Sequence, residues 1–273
     1  MSFPLRPIAF ILAASNHGTM IVNRNDYHMI DSQNVYGVGF EILNNSCFDY
    51  DEVQLALKLL SWRLQYFGSG VVAIDGGANI GIHTVEWSRH MYGWGNVIGF
   101  EAQEILYYVL AGNVVLNNCL NARVRWAALG EVCGEMTIPQ PDYFKSGSFG
   151  SLELRQQEYI EFIGQNISYN LHDCTKVRVI NLDSLNLDRL DLLKLDVEGM
   201  EIDVLRGSRK TISAFHPIML IEIIKSDPDV IESFLFDLGY KIFFLGINIL
   251  AIHIDDPTLE EIQKSDDSLI MIN

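Results

Sequence analysis

The stretch DGGANIG (residues 75–81), called the glycine corner below, has the residue types of a ligand-binding turn. It places an aspartate before two glycines, an asparagine and a third glycine. Glycine and asparagine adopt left-handed backbone conformations at low cost, so a nucleotide-like cofactor can approach the backbone closely. The carboxylate of Asp75 would repel a pyrophosphate and suits a cationic ligand. A plain strand-to-helix turn is the alternative interpretation of this segment.

Two phosphate-binding motifs are missing from the glycine corner. The sequence has no GxxxxGK[ST] loop, and no lysine lies between Lys58 and Lys145. A dinucleotide fingerprint GxGxxG that began at Gly77 would need glycines where Asn79 and Ile82 stand. Both observations disfavour a bound nucleoside triphosphate or dinucleotide.

Glu101 ends the next apolar run, 26 residues after Asp75. An acid at the end of the second strand of such a unit can accept hydrogen bonds from both ribose hydroxyls. A ribose-binding acid without a phosphate site favours S-adenosylmethionine, which carries a ribose and a sulfonium charge but no phosphate. A solvated acid at a strand end is the alternative for Glu101.

Six segments resemble the FkbM-type S-adenosylmethionine-dependent methyltransferases in order and approximate spacing. The resemblance covers about residues 35–250, and its most specific piece is LLKLDVEGMEIDVLRG (192–207). Gly76 is a mild departure from the family pattern, and residues 131–181 do not match well. The segments are VVAIDGGANIGIHT, VIGFEA, AALGE, NLDSL, DLLKLDVEGMEIDVLRG and PIMLIEI.

The resemblance implies a fold, an activity and a set of site residues. The fold is a class I methyltransferase α/β fold, with a doubly wound seven-stranded sheet that is mostly parallel and has its last strand antiparallel. The activity is methylation of a hydroxyl group on a sugar, glycan or natural product, with S-adenosylhomocysteine as the second product. The implied cofactor residues are Asp75, Gly77, Asn79, Gly81 and Thr84 around the glycine corner, Glu101 and Ala102 at the ribose, Ala127 or Ala128 at adenine, and Asp196 near the methyl group.

Three carboxylates are candidates for the catalytic base. Asp196 and Glu198 follow the fourth predicted strand of the sheet, and Glu222 ends the fifth. Clustered carboxylates repel one another, which raises at least one pKa towards the range of a useful base. A divalent cation held by the three oxygens, and charge compensation at a helix N-terminus for Glu198, are the alternatives. We expect no metal, because no histidine lies nearby in sequence.

Two further polar residues receive structural interpretations. Lys194 lies two residues before Asp196 on the same strand and is expected to pair with a nearby acid. His83, on the first helix after the glycine corner, is expected to be a satisfied structural histidine.

The predicted elements place these residues at one edge of a sheet. From residue 70, apolar runs alternate with helical patterns, which predicts parallel strands with helical crossovers and a terminal hairpin. A helix is predicted over 49–68 and another over 198–215. Residues 1–48 are predicted to form a β-rich extension of short strands, including VYGVGFEIL (35–43). We place the methyltransferase domain at 49–273.

Residues 131–181 interrupt the alternating pattern, and their central part, residues 139–175, is called the insertion below. SFGSLEL within it has strand character. A long insertion in an α/β domain is commonly a functional lid, so we expect it to cover the carboxyl edge of the sheet and to bind the acceptor. The residues expected to contact a sugar or polyhydroxylated ligand are Tyr143, Phe144, Lys145, Ser146, Ser148 and Phe149. A surface excursion or an oligomer contact is the alternative.

Composition limits the partners of the chain. Its 273 residues are 49% hydrophobic and carry a formal net charge of −16, which is unsuited to a nucleic-acid backbone or an anionic membrane. The four cysteines lack metal-ligand spacing, and the apolar run at 8–15 is short for a signal peptide, so a cytoplasmic location is expected. The sequence indicates no oligomeric state. The remaining alternatives are an NAD-dependent oxidoreductase or epimerase and a non-catalytic adenosyl-binding interaction protein.

Overall fold

The strands and helices of the chain alternate from residue 71 onward. The computed structural model describes residues 6–29, 35–157, 160–265 and 268–271. The predicted strand at 27–30, the turn at 31–34 and the insertion each include residues outside these ranges. The strands are β1 Phe10–Ser15, β2 Gly18–Asn23, β3 His28–Met29, β4 Val35–Tyr36, β5 Val71–Gly76, β6 Gly95–Glu101, β7 Ala122–Trp126, β8 Ala128–Leu129, β9 Gly134–Pro139, β10 Cys174–Ile180, β11 Leu192–Leu195, β12 Ile218–Glu222, β13 Tyr240–Leu245, β14 Asn248–His253, β15 Ile262–Ser265 and β16 Ser268–Met271.

Seven α-helices accompany these strands in the described part of the chain. Short 3-10 helices occur at Leu171–Asp173, Leu182–Leu185 and Pro257–Glu261. The α-helices are α1 Val38–Asn45, α2 Tyr50–Phe67, α3 Ile82–His90, α4 Glu104–Leu116, α5 Glu201–Arg206, α6 Arg209–Phe215 and α7 Pro228–Asp237.

A seven-stranded sheet in the order β13-β14-β12-β11-β5-β6-β7 forms the centre of the fold. The five neighbouring strands β12, β11, β5, β6 and β7 run parallel to one another. Strand β14 runs antiparallel to both of its neighbours, β12 and β13. This confirms the predicted mostly parallel sheet with an antiparallel last strand. A smaller sheet, β8-β10-β9, extends from the region after β7.

Apolar side chains fill both faces of the central sheet. Neighbouring residues of a strand point to opposite faces, and Leu192 and Leu193 accordingly belong to two different core clusters. The Leu192 cluster includes residues of α2, α3 and α4, and the Leu193 cluster includes residues of α5, α6 and α7. Burial on both faces explains why the central strands read as continuous apolar runs.

The N-terminal region is β-rich as predicted, but it also contains a helix that was predicted as a strand. The hairpin β1–β2 is present, but VYGVGFEIL is a strand only at Val35–Tyr36 and continues as helix α1. The reason is a tertiary contact, because the buried carboxylate of Asp26 accepts a hydrogen bond from the N–H of Gly39 in the first turn of α1. A cap supplied from another element is invisible to a local pattern.

Two other predicted elements are also wrong in detail. SFGSLEL in the insertion has no assigned strand. The helix predicted over 198–215 is two helices, α5 and α6, and begins only at Glu201. Glu198 and Gly199 have positive φ angles of 54° and 89°, which an α-helix does not allow.

Within the described residues, none of the helices combines the length and the apolar character needed to span a membrane.

Candidate active site

A cavity of about 400 Å³ lies at the carboxyl edge of the central strands. The parallel register brings the ends of β5, β6, β11 and β12 to this edge, with Asp75 opposite Lys194 and Gly76 opposite Phe100. Open α/β sheets bind their ligands at such an edge. Nine predicted site residues line the cavity, namely Gly77, Asn79, Glu101, Ala102, Ala127, Ala128, Asp196, Glu198 and Glu222.

Three predicted cofactor residues do not line the cavity. Asp75 is buried beneath the glycine corner and accepts a hydrogen bond of 2.6 Å from the hydroxyl of Thr84. Gly81 begins helix α3 with φ 93°, and a Cβ atom there would meet Leu110. These three residues lie beneath the glycine corner and support its backbone. The prediction that these three residues contact the cofactor is therefore not supported by their positions.

The glycine corner and Glu101 are fixed to each other by backbone hydrogen bonds. Glu101 Oε2 accepts the N–H of Asn79 at 2.8 Å, and Oε1 accepts the N–H of Gln103 at 2.7 Å. Burial raises the pKa of Glu101 to about 7, although these hydrogen bonds oppose the shift. Gly77 is required by packing, since a Cβ atom would lie 1.7 Å from the carbonyl oxygen of Asp196.

This end of the cavity fits an adenosyl cofactor. Its volume lies in the ordinary range of small-molecule sites. The small side chains of Ala102, Ala127 and Ala128 leave room for a flat base. The buried Oδ1 of Asn79 has no hydrogen-bond partner among the described residues, so a ligand donor would satisfy it.

Asp196, Glu198 and Glu222 form a carboxylate cluster at the other end of the cavity. One oxygen of each lies within 4.8 Å of the others, an arrangement that could also hold a metal ion. Burial, followed by the charge of Asp196, raises the pKa of Glu198 and of Glu222 well above the usual range of a carboxyl group. The three carboxylates are thus close enough to repel one another, as predicted.

Two lysines neutralise part of this cluster. Lys194 Nζ donates to Asp196 at 3.0 Å, as predicted for a lysine in an apolar strand. Lys225 Nζ lies 2.6 Å from Glu198 Oε2. Glu222 has no ion pair with a lysine or arginine in the described part of the chain. Ammonium groups at two of the three carboxylates reduce the electrostatic gain from a bound cation.

Sequence reasoning missed the residues that helix α2 and its neighbours contribute. Glu52 of α2 lies 3.2 Å from Nε2 of His83 and 3.8 Å from Nζ of Lys194. Burial opposes ionisation of Glu52, but Lys194 and His83 outweigh it and lower its pKa to about 2. No motif marked α2 as part of the site. Other cavity residues outside the predicted set include Tyr36, Phe48, Asp49, Gln103, Lys225 and Asn248.

Glu201, the first residue of α5, has a structural role. Its Oε1 accepts the N–H groups of Val197 and Gly199, and Ser226 donates to its other oxygen. The side chain therefore holds the turn that presents Glu198.

The insertion contributes less of the cavity wall than predicted. Ser148 and Ser151 line the cavity together with Leu152 and Leu154. Phe149, however, is fully buried in the core, and Tyr143 packs against its ring. Phe144 is exposed and is not among the cavity-lining residues. Lys145 and Ser146 do not line the cavity either, so Ser148 is the one residue of the six whose position supports contact with the acceptor.

A comparison with known families decides the identity of the domain. The sequence pattern of the methyltransferase FkbM domain matches residues 75–242, more than half of the chain. The chain belongs to the FkbM methyltransferase family. This confirms the predicted family. At the level of the family it supports methyl transfer as the reaction class, with S-adenosylmethionine as the cofactor and S-adenosylhomocysteine as its product.

Solved structures of several methyltransferases are similar to this chain. Methyltransferase FkbM from Methylobacillus flagellatus KT is 18% identical with a TM-score of 0.48, covering 70% of this chain and 48% of its own. The chain thus spans about half the length of that protein. A precorrin-6y C5,15-methyltransferase from Geobacter metallireducens GS-15 is 12% identical with a TM-score of 0.41, covering 76% of this chain and 88% of its own.

A third similar structure is the tRNA (uracil-54, C5)-methyltransferase of Pyrococcus abyssi, solved in complex with S-adenosyl-L-homocysteine. It is 12% identical with a TM-score of 0.43, covering 89% of this chain and 44% of its own. Among curated proteins, the search found no match.

Proposed function

We propose that the protein transfers a methyl group from S-adenosylmethionine to a hydroxyl group of a sugar, a glycan or a natural product. One observation carries this proposal: a single cavity joins Glu101 and the glycine corner at one end to the carboxylate cluster at the other. A cofactor and an acceptor bound side by side in it would bring the methyl group and the hydroxyl together. Holding reactants in line at short range supplies much of the catalysis of such a displacement.

The chain's residues have separate roles in this proposal. Glu101 accepts hydrogen bonds from the ribose hydroxyls. The unpartnered Oδ1 of Asn79 accepts a hydrogen bond from a donor group of the cofactor. Bound S-adenosylmethionine supplies an electrophilic methyl group on a sulfonium sulfur. The carboxylate cluster binds the acceptor hydroxyl. Asp196 is fixed for this by Lys194, and Glu198 by Lys225.

An uncharged polyhydroxylated acceptor suits the charges of this end of the cavity. Asp49, Glu52 and the carboxylate cluster all line it, against only Lys194 and Lys225 among the lysines and arginines of the described wall. Like charges at close range disfavour an anionic acceptor. Hydroxyl groups can donate to these carboxylates without that cost.

Calorimetric titration with S-adenosylmethionine and S-adenosylhomocysteine tests the cofactor part of the proposal. We expect both to bind, and NAD to give no heat of binding. The acceptor part is tested by mass spectrometry of small molecules and glycans from cells with and without the protein, where a methyl transfer adds about 14 daltons to its acceptor. Absence of binding for both adenosyl compounds would refute the proposal.

An interaction protein that keeps the fold is the second candidate. It would bind the cofactor without turnover and would leave the profile of methylated compounds unchanged between the two kinds of cell. Tight binding of NAD with no binding of the adenosyl compounds would instead favour the oxidoreductase or epimerase alternative.

A further inference from the structure

Three exposed apolar side chains lie at the mouth of the cavity. Tyr36, Ile224 and Ile247, called the apolar rim below, line the cavity although 46%, 57% and 54% of their surfaces are exposed. The other large apolar side chains in the described part of the cavity wall are buried or half-buried. Exposed apolar residues scattered singly over a surface are ordinary, whereas a group of them around a cavity marks a binding surface.

Strand topology places both isoleucines of the apolar rim at the acceptor end of the cavity. Ile224 follows Glu222 of the carboxylate cluster by two residues. Ile247 precedes Asn248, which is the register partner of Glu222. The N–H of Ile223 donates to the carbonyl oxygen of Ile247 at 2.9 Å and joins the two segments. Because β12 lies three positions from β6 in the sheet, the apolar rim is remote from the acid proposed to bind the ribose.

Tyr36 brings a phenol ring to the same end of the cavity. Burial of its hydroxyl group, and then the negative charge of Asp196, raise the pKa of Tyr36 above its usual range. The charges of Asp49, Glu222 and Glu198 act in the same direction. The hydroxyl therefore lies near the carboxylate cluster, while nearly half of the residue's surface stays exposed. An aromatic ring with a polar tip can contact both a hydrocarbon and a hydroxylated part of one ligand.

The fold itself does not require isoleucine at the apolar rim. Gly246 and Ile247 form the two-residue turn of the β13–β14 hairpin, and Gly246 supplies the positive φ of 64° that such a turn needs. Ile224 lies in the turn after β12, and turns commonly carry polar residues. Both isoleucines are more than half exposed, so the core gains little from them. Their apolar surface is therefore free to contact a ligand.

The apolar rim and the carboxylate cluster together restrict the chemistry of the acceptor. The acidic groups behind the rim favour a hydroxyl donor and disfavour an anionic acceptor. Isoleucine side chains carry no hydrogen-bonding group, so they contribute to binding only by removing apolar surface from water. A fully hydroxylated sugar placed against them would lose hydrogen bonds to water without replacement. A hydrocarbon group meets no such cost.

We propose that the apolar rim binds a hydrocarbon part of the acceptor, which makes the acceptor an amphipathic compound with its reacting hydroxyl beside aliphatic or alicyclic carbon. The hydroxyl lies at the carboxylate cluster, and the hydrocarbon covers Tyr36, Ile224 and Ile247. A free, fully hydroxylated glycan is a poor acceptor in this arrangement. The proposal rests on the methyl transfer to a hydroxyl proposed above and narrows the class of its acceptor.

Two glucosides test the apolar rim by binding alone. Octyl β-D-glucopyranoside and methyl β-D-glucopyranoside carry the same uncharged sugar and differ only in the length of the hydrocarbon. Calorimetry with the full chain saturated with S-adenosylhomocysteine, below the critical micelle concentration of the octyl compound, compares their affinities. We expect the octyl compound to bind at least about tenfold more tightly, because burial of a few methylene groups supplies that factor. Equal affinities, or no binding of either compound, would overturn the proposal.

A double variant locates the binding of the octyl chain. Ile224→Asn with Ile247→Asn should lower the affinity for the octyl compound at least about fivefold, and the affinity for S-adenosylhomocysteine should stay within about threefold. Ile254→Asn is the matched control, since Ile254 is 59% exposed, follows the other end of β14 and does not line the cavity. Equal losses in the double variant and in Ile254→Asn would mean non-specific binding of the alkyl chain and would contradict the proposal.

The natural acceptor gives a second test. Tritiated S-adenosylmethionine and the full chain are incubated with an extract of the cells from which the protein derives, and the labelled product is partitioned between butanol and water. We expect the label in butanol, and the double variant should label the extract at least about fivefold more slowly while Ile254→Asn should match the wild type. Label confined to the water phase would overturn the proposal. Failure of the wild type to transfer any label would count against the proposed function, whereas the two glucosides would still decide the role of the apolar rim.

Discussion

At the scale of single residues, Glu101 links the glycine corner to helix α4. Its two oxygens accept N–H groups from Asn79 and Gln103, which lie on either side of it in the cavity wall. Each oxygen keeps a further lone pair for a ligand. Burial of this carboxylate has a cost, which the two backbone hydrogen bonds offset only in part, since its pKa is raised to about 7.

Replacing Glu101 tests its proposed role at the ribose. Glu101→Gln should weaken S-adenosylhomocysteine binding at least about tenfold, because a hydrogen bond to a charged acceptor is worth roughly 1.5–3 kcal/mol. Wild-type affinity should fall as the pH is lowered through about 7, because protonation of Glu101 removes one acceptor position. The affinity of Glu101→Gln should change little over the same range. Calorimetry at several pH values measures both effects.

Glu104→Gln is the control for this experiment. Glu104 begins α4 one turn away and binds Tyr108, so its variant should keep both the affinity and the pH dependence of the wild type. A Glu101→Gln protein with unchanged affinity would contradict the placement of the ribose at the end of β6.

Single residues were predictable from sequence where a strand end fixed them. Glu101, Asp196 and Glu222 each end or follow an apolar run, and parallel strands bring such ends to one edge. Glu52 was not predictable, because it lies on a helix that precedes the glycine corner and reaches the site only through packing. His83 was visible in the sequence, but its contact with Glu52 is a property of the folded chain.

At the scale of elements, side chains distant in sequence cap the first turns of two helices, α1 and α6. Asp26 binds the first turn of α1 from the loop after β2. Asp183, from the NLDSL segment of the family pattern, plays the same part for α6. Its carboxylate accepts the N–H groups of Lys210 and Thr211 and the hydroxyl of Thr211. A sequence pattern locates a helix by its apolar face, but such partners set its start.

Removal of the Asp183 cap should destabilise the fold without altering the cavity. Asp183→Ala should lower the free energy of unfolding by about 0.5–2 kcal/mol, the range for loss of an N-terminal cap. Asp183→Asn retains an acceptor oxygen and should lose less. Urea denaturation measures the difference, and S-adenosylhomocysteine titration should give an unchanged affinity.

Asp188→Ala is the comparison for the capping experiment, because Asp188 is exposed in the loop that follows Asp183. Equal stability of Asp183→Ala and Asp188→Ala would show that the cap contributes nothing measurable.

The break between α5 and α6 also depends on close packing. A Cβ atom at Gly207 would lie 2.3 Å from the carbonyl oxygen of Gly130, so the chain approaches the end of β8 here. In sequence, Gly207 resembles a tolerated glycine within one long helix. The turn at Glu198 and Gly199 likewise needs the folded sheet edge to impose its positive φ angles.

At the scale of the whole molecule, three parts of the chain enclose the cavity. The sheet edge forms its floor, the region from Tyr36 to Glu52 forms one wall, and residues 148–154 of the insertion contribute another. The sequence placed the insertion at this edge, but of the side chains expected to face the acceptor only Ser148 lines the cavity. An aromatic residue in a polar loop can pack into the core or contact a ligand, and the sequence does not distinguish the two. For Phe149 the folded structure shows that the ring is packed in the core.

Lys225 joins the insertion to the carboxylate cluster. Its Nζ donates to the carbonyl oxygen of Ser151 at 2.6 Å and lies 2.8 Å from Glu161 and 2.6 Å from Glu198. The side chains of Lys225 and Glu198 are 11% and 14% exposed, so this ion pair is shielded from solvent, whereas Glu161 is 45% exposed. Loss of one partner of a buried ion pair leaves the other charges uncompensated. Lys225 should therefore link the position of the insertion to the presence or absence of a ligand in the cavity.

Hydrogen exchange with and without S-adenosylhomocysteine tests whether the insertion closes over the site. In the wild type we expect the cofactor product to slow exchange in both the glycine corner and residues 147–154. In Lys225→Met the glycine corner should keep its protection, while residues 147–154 should exchange faster and gain little from the ligand. Lys176→Met is the control, since Lys176 is exposed on β10 and pairs with Glu135. Protection confined to the glycine corner in the wild type would contradict a closing insertion and direct the search for the acceptor pocket to the wall between Tyr36 and Glu52.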